Sequence, residues 1–172
     1  MRTTKSKWIG ILIAGLGLAG AIGGAHAEDA NSAALAAALK TTSVTLQDGL
    51  NSGSRDGTPI SGKFEIEDGK LQLSVYTMKA DRFDEVVIDP KSGAVAKTEK
   101  ITEGDDLKDA TAQKAAMAKA KITLLAATEA SLKANAGARA TSVVPKLTDG
   151  HPVAELSLLQ GASFKTVTEK LD

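Results

Sequence analysis

The 172-residue chain contains no cysteine, which excludes disulfide staples, thiol nucleophiles, thiolate metal sites and lipid attachment through a cysteine. Aromatic residues are nearly as scarce, at one Trp, one Tyr and three Phe, so the large anchors that carry most interface energy are few. No sign of charge dominates, with 21 basic and 21 acidic side chains. Lysines and arginines alternate with acids as on an ordinary solvated surface. No stretch offers the basic face that phosphate neutralisation requires, so no nucleic-acid partner is expected. Histidine is limited to His26 and His151, whereas transition-metal sites usually draw on several His or Cys ligands. Asp105, Asp106 and Asp109 lack the spacing of a calcium loop and suit the first turn of a helix, where acids complement the helix dipole. Neither a metal nor a cofactor is expected.

The N-terminus does carry a long apolar run. Arg2, Lys5 and Lys7 precede an uncharged Gly/Ala-rich stretch from Trp8 to Ala25, and Ala25-His26-Ala27 forms a small-x-small site before Glu28. This pattern predicts a secretory signal peptide over residues 1–27, cleaved after Ala27, and hence a periplasmic or extracellular protein. The alternative is an uncleaved membrane anchor, since the run approaches the ~20 residues that span a bilayer. Repeated glycines between Gly10 and Gly24 make a poor spanning helix and favour cleavage. Membrane contact is expected only if this segment stays attached. Cleavage would remove three basic groups and leave 18 against 21 acids, a net charge of −3.

Beyond the leader, Asn31–Lys40 is rich in Ala with Leu35 and Leu39 one turn apart, which predicts a short helix behind an Asn cap. Thr45-Leu-Gln-Asp48 has the spacing of a capping box and predicts a second helix from about Leu46 to Leu50. Asn51–Pro59, with Gly53, Gly57 and Pro59, reads as a loop. The period then changes to two. Ile60, Gly62, Phe64 and Ile66 alternate with Ser61, Lys63, Glu65 and Glu67, and Asp68-Gly69 is a strong hairpin turn signal because type I′ turns need positive φ. Leu71, Leu73, Val75 and Thr77 return on a second strand. Phe83–Asp89 and Ala94–Ile101 predict two more strands, joined by a turn at Asp89-Pro-Lys-Ser-Gly93.

The hairpin recurs. Val143–Leu156 contains Asp149-Gly150, and the two Asp-Gly pairs lie 81 residues apart. The same offset places Phe83 on Phe164 and Val86 on Val167. Asp105–Asn135 has neither Gly nor Pro, so composition alone suggests one long helix. Because Ile122-Thr-Leu124 repeats Val44-Thr-Leu46, a break is expected near Lys121–Thr123. The expected fold is α+β, as two tandem repeats, each with one or more helices on one face of an antiparallel sheet of three to four strands. The divisions are a first repeat over residues 28–103, a linker helix over 104–121 and a second repeat over 122–172.

Thr45-Leu-Gln-Asp48, the Asp68-Gly69 hairpin and Val86-Val-Ile-Asp89-Pro-Lys-Ser-Gly93-Ala-Val95 together resemble the PepSY domain, whose last hairpin commonly reads V-x-V-D-x-x-T/S-G-x-V. Ile122-Thr-Leu124 through Gly137, Asp149-Gly-His-Pro-Val153 and Leu156 resemble the same domain, without the D-x-x-S-G turn. The resemblance implies a helix packed on an antiparallel sheet in an exported protein. It also implies a role in restraining peptidase activity, and no catalytic residue set. The tandem arrangement is similar in outline to small secreted β-lactamase inhibitors, an analogy of fold alone.

The chemistry-bearing residues support a binding role over an enzymatic one. After cleavage His151 is the only imidazole, no G-x-S-x-G nucleophile elbow is present, and His151 follows a hairpin turn where a solvated residue is expected. No catalytic residue is assigned. Glu65, Glu67 and Asp68 fall on the polar face or turn of a hairpin and read as solubility residues. Tyr76 alternates out of phase with Leu73 and Val75, which places it on an exposed sheet face beside Ser74 and Met78. Tyr76, Met78 and His151 are therefore the candidate contacts for a partner, and Phe64, Phe83 and Phe164 are expected in the core. The expectation is an exported non-enzymatic binding or regulatory module that meets an unknown protein or peptide, a peptidase among the candidates. The alternative is a structural envelope protein, tethered if the N-terminal helix is retained.

Overall fold

The computed structural model describes residues 25–172. Of the expected leader, Ala25, His26 and Ala27 contribute backbone to the first helix, and the remainder lies outside the described residues. Helix α1 (Ala25–Leu39) runs through Asn31 instead of starting there. The residues before Asn31 are themselves compatible with a helix, so no cap is required at that point.

Helix α2 (Leu46–Gly53) starts as its sequence dictates. The Asp48 amide donates to Thr45 Oγ1 at 3.1 Å while Asp48 Oδ2 accepts from the Thr45 amide at 2.8 Å. Two free donors of the first turn are thereby satisfied reciprocally. The helix continues one turn past the expected end, because Gly49 and Gly53 let it lie directly on the Leu73 and Val75 side chains of the sheet. A Cβ at Gly49 would stand 2.4 Å from Leu73 Cδ2, and one at Gly53 would stand 2.8 Å from Val75 Cγ1.

Strands β1 (Thr58–Glu67), β2 (Lys70–Lys79), β3 (Arg82–Ile88) and β4 (Val95–Ile101) precede α3 (Gly104–Met117) and α4 (Leu124–Ala134), and β5 (Arg139–Thr148), β6 (His151–Gln160) and β7 (Ser163–Lys170) follow. All seven strands belong to one antiparallel sheet, in the order β4-β3-β2-β1-β5-β6-β7. The two hairpin systems therefore join edge to edge through β1 and β5. Gly62 pairs with Val143 at that junction, and these are the two positions related by the 81-residue offset. The offset carries Gly62–Val75 onto Val143–Leu156 and Val75–Val86 onto Leu156–Val167. It also carries the bulge between Pro59 and Ser61 onto that between Ala140 and Ser142. Both Asp-Gly turns have positive φ at each residue, 47° and 74° at Asp68-Gly69 and 51° and 81° at Asp149-Gly150.

The expected break between α3 and α4 is present. Thr123 caps α4 by accepting from the Ala126 amide, as Thr45 caps α2, and the Lys121 and Ile122 amides both donate to the Leu171 carbonyl. The main core lies on the face covered by α1, α2 and α4. It contains Leu39, Leu46, Leu50, Phe64, Leu73, Val75, Val143, Leu156 and Leu158.

Helix α3 takes the opposite face. Ala110 packs there against Ile60, Tyr76 and Phe83, with Leu107, Met78 and Met117 around them, and Ser61 Oγ donates to Gln113 Oε1 at 2.8 Å in a buried contact. Two expectations change as a result. Ile60 does not share a face with Gly62 and Phe64, because the bulge at Pro59/Ser61 adds a residue and turns Ile60 toward α3. The segment expected to be a linker helix covers the second face of the sheet, so helices lie on both sides.

Candidate functional site

The sheet face on the α3 side carries, on its first three strands, alternate residues Ser61, Lys63, Glu65 and Glu67 of β1, Gln72, Ser74, Tyr76 and Met78 of β2, and Phe83, Glu85 and Val87 of β3, while α3 itself lies mainly against β5 and β1. One end of this face is apolar and the other is acidic. Gln72 Nε2 donates to Ser74 Oγ at 2.8 Å and, more distantly, to Glu67 Oε2 at 3.3 Å. Ser74 Oγ donates to Glu65 Oε1 at 3.1 Å, and Lys63 Nζ pairs with Glu65 Oε2 at 2.9 Å. Tyr76 donates its hydroxyl to Asp106 Oδ1 in the first turn of α3 at 2.9 Å.

Glu85 stands directly across from Tyr76 in the β2–β3 register. It is 7% exposed, and its Oε1 is buried with no hydrogen-bond partner among the described residues. Burial pushes its carboxyl up to about 7, with the Glu65, Asp106 and Glu67 carboxylates adding to the rise against a lowering contact from Ser74. Burial likewise pushes the Tyr76 phenol well above its ordinary range. Desolvation disfavours the charged form of each group. This arrangement can hold a proton. It does not suit a metal, since no group of three His, Cys, Asp or Glu placed to hold one occurs among the described residues.

The three candidate contact residues are not brought together. Tyr76 is fully buried, contrary to the expected exposed face, because α3 covers the surface on which alternation places it. Met78 is half-buried against the same cluster. His151 begins β6, three strands away, is exposed, and has Nδ1 2.8 Å from Asp172 Oδ2. That contact holds the Asp172 carboxyl below its usual range. Glu65 and Glu67 are also partly buried rather than solvated, while Asp68 is exposed in its turn as expected. Phe64 and Phe83 are buried, and Phe164 is half-buried.

Sequence reading missed Glu85 and its neighbours. A signal was present in β3, Arg82-Phe-Asp-Glu-Val-Val-Ile88, where each phase of the alternation carries one acid and at least one hydrophobic residue. A strand with apolar residues in both phases is covered on both faces, and its acids are then enclosed.

The sheet also has two edges. On β4 every residue from Val95 to Lys100 is exposed except the half-buried Glu99. The other edge is held more closely: β7 has Phe164, Lys165, Val167 and Glu169 half-buried, Lys165 Nζ meets Asn135 Oδ1 at 2.7 Å, and the following Leu171 is buried. Open grooves lie among the described residues. One of about 390 Å³ lies between α2 and the β3–β4 turn, lined by Ser43, Asp48, Asn51, Arg55 and Lys91. Another, of about 520 Å³, lies beside Lys79, Arg82, Phe83, Lys100 and Leu107.

No protein-family model matches this chain, and no curated protein matches it. Among solved structures it is similar to a putative lipoprotein from Clostridium difficile 630, at 17% identity, covering 74% of this chain and 95% of that one with a TM-score of 0.36. A likeness at that score carries no argument about this chain. No described helix is long and apolar enough to cross a membrane.

Proposed function

We propose that this chain is an exported, non-enzymatic binding module of two PepSY-like repeats, which takes up an extended segment of another protein along the β4 edge. The observation that carries the reading is the exposure of β4 at the end of the seven-stranded sheet. An edge strand presents unpaired amides and carbonyls that can be completed by one more strand, with alternate side chains supplying the selectivity. Lys97 and Glu99, which form an ion pair of 2.7 Å, project to the α3 face with Ile101, while beyond the bulge at Val87/Ile88 Val95 pairs with Ile88 on the main-core side. Ala96, Thr98 and Lys100 project to the main-core side as well. Charges on this edge oppose indiscriminate pairing, so the matching segment is mixed in polarity. A peptidase is the partner class favoured by the PepSY resemblance, and export is supported by the leader pattern.

The test uses the full chain with a photo-crosslinking residue at Thr98 of β4 or, as control, at Thr166 of β7. It is mixed at stoichiometric concentration with peptidases exported by the same cells. Slowed hydrolysis with crosslinking from Thr98 and not from Thr166 supports the reading. A panel that is neither slowed nor crosslinked removes the peptidase assignment. A chain that retains residue 1 and fractionates with membranes favours a structural envelope protein instead.

A further inference from the structure

We propose that the segment received by β4 runs antiparallel to it and is fixed at its C-terminal end by a carboxylate seated in the groove between α2 and the β3–β4 turn, against Arg55 and Lys91. This rests on the reading of β4 as the receiving edge and gives that edge a direction and a preferred sequence. Every pairing in the sheet is antiparallel. A further strand that continues the pattern enters beside Ile101 and leaves beside Val95. The turn Asp89–Gly93 lies just before Val95, so the groove it forms with α2 stands at the exit.

The walls of this groove are joined to each other. Ser52 Oγ donates to the Gly93 carbonyl at 2.8 Å, and Thr42 Oγ1 donates to the Pro90 carbonyl. Two cations line it, Arg55 just after α2 and Lys91 in the turn. Both are exposed, and neither side chain has an ion-pair or hydrogen-bond partner among the described residues. The acids nearby are turned to other donors. Asp48 Oδ2 accepts from the Thr45 amide and hydroxyl, and Asp89 Oδ1 accepts from the Lys91 and Ser92 amides and the Ser92 hydroxyl. Two cations without a counter-ion, beside the exposed hydroxyl of Ser43 and amide of Asn51, suit the oxygens of a carboxylate.

The far end of β4 has a different character. The groove there is lined by Phe83, Ile101 and Leu107, which belong to the apolar cluster on the α3 side. The first groove is lined by Val44 of the main core, so the two open on opposite faces of the sheet. Residues directly opposite each other on neighbouring strands project to the same face. A residue of the segment opposite Ile101 therefore meets the apolar groove, and residues in the phase of Thr98 lead toward the cations. The favoured segment is apolar at its N-terminal end and acidic about five to seven residues later, a distance of roughly 20 Å in an extended strand.

Selection of short random peptides with free C-termini on the full chain tests this. Selected peptides should carry an apolar residue followed by Asp, Glu or the C-terminal carboxylate, and should crosslink from a photo-reactive residue at Thr98. Changing the side-chain acid to its amide, or amidating the C-terminus, identifies which carboxylate is bound. Its removal should weaken binding roughly fivefold, as for an exposed ion pair. Arg55→Gln/Lys91→Gln should lose the same factor, and removing the carboxylate from the peptide should then cost nothing further. Peptides that crosslink from Thr98 without any preference for a carboxylate, or that bind the double variant as tightly, overturn the groove assignment and leave the edge standing. A photo-reactive residue at Ser92 should capture the C-terminal half of the peptide, and capture of the N-terminal half overturns the direction. Peptides captured from Thr166 of β7 instead, or a selection that yields none, overturn both readings.

Discussion

Replacing Arg139 by alanine should cost more than any other single change at the surface of this protein, because one half-buried guanidinium at the start of β5 closes the turn between α1 and α2 on the main-core face of the sheet. Nη1 donates to the Leu39 carbonyl at 2.7 Å and to the Thr42 carbonyl at 3.0 Å, and Nη2 donates to the Val44 carbonyl. The guanidinium carbon lies 5.3 Å from the centre of the Phe64 ring. A hydrogen bond with one charged partner contributes about 1.5–3 kcal/mol net. Three cannot simply be added, because water reaches part of this site and takes over some of the acceptors. We expect a loss of about 3–4 kcal/mol for Arg139→Ala, a cation–π contribution of about 0.5–1 kcal/mol included. That is a large fraction of the ~5–15 kcal/mol that holds a domain folded, and at this chain length it lowers Tm by roughly 10 °C. Arg139→Lys should recover part of the loss, since an ammonium keeps the charge but not the fork that reaches three carbonyls. Urea denaturation followed by circular dichroism measures both. A loss below about 1 kcal/mol for alanine, or a lysine variant as stable as the native protein, would refute the argument.

Other outcomes follow from the same packing. Gly49→Ala should destabilise by about 1–2 kcal/mol despite the helical gain, because its Cβ would meet fully buried Leu73, and thermal melting measures the loss. Thr45→Ala should cost about 1 kcal/mol by removing the cap of α2, read from the same melts. The Asp48 carboxyl is held below its usual value by the Thr45 hydroxyl and amide, so its contribution is present above pH 4 and is lost as pH falls through its lowered value. In Asp48→Asn that acid-side loss of stability should be smaller, and equal acid profiles would count against the capping box. Gly69→Ala, in a turn with φ of 74°, should cost about 1–2 kcal/mol with no change elsewhere in the amide spectrum.

Local signals in the sequence carried much of this fold. The Thr45 and Thr123 caps, the two Asp-Gly turns and the break before α4 are each encoded within a few residues, and each is present where those residues stand. Strand order was less accessible, because the β1–β5 junction joins segments far apart in sequence through backbone pairing at Gly62 and Val143. Nothing in their side chains marks that pairing. The placement of α3 was hidden for a related reason. Its buried residues are Ala110, Gln113 and Ala116, small or polar groups that leave little hydrophobic stripe to read, and the face it covers carries Ser61, Ser74 and Tyr76 among acids. Alternation correctly put Tyr76 on that face but could not tell that a helix encloses it. Glu85 went unnoticed for the same reason, since an acid in a strand reads as solvated until something covers the strand.

The central claim is that β4 is the edge at which a partner adds a strand. It is tested most directly by recording amide exchange along Val95–Ile101 in the full chain before and after addition of the peptidase that crosslinks from Thr98. Alternate amides of β4 should become protected while those of β7 stay as they were. Protection that appears on β7, on both edges equally, or on neither would contradict the account.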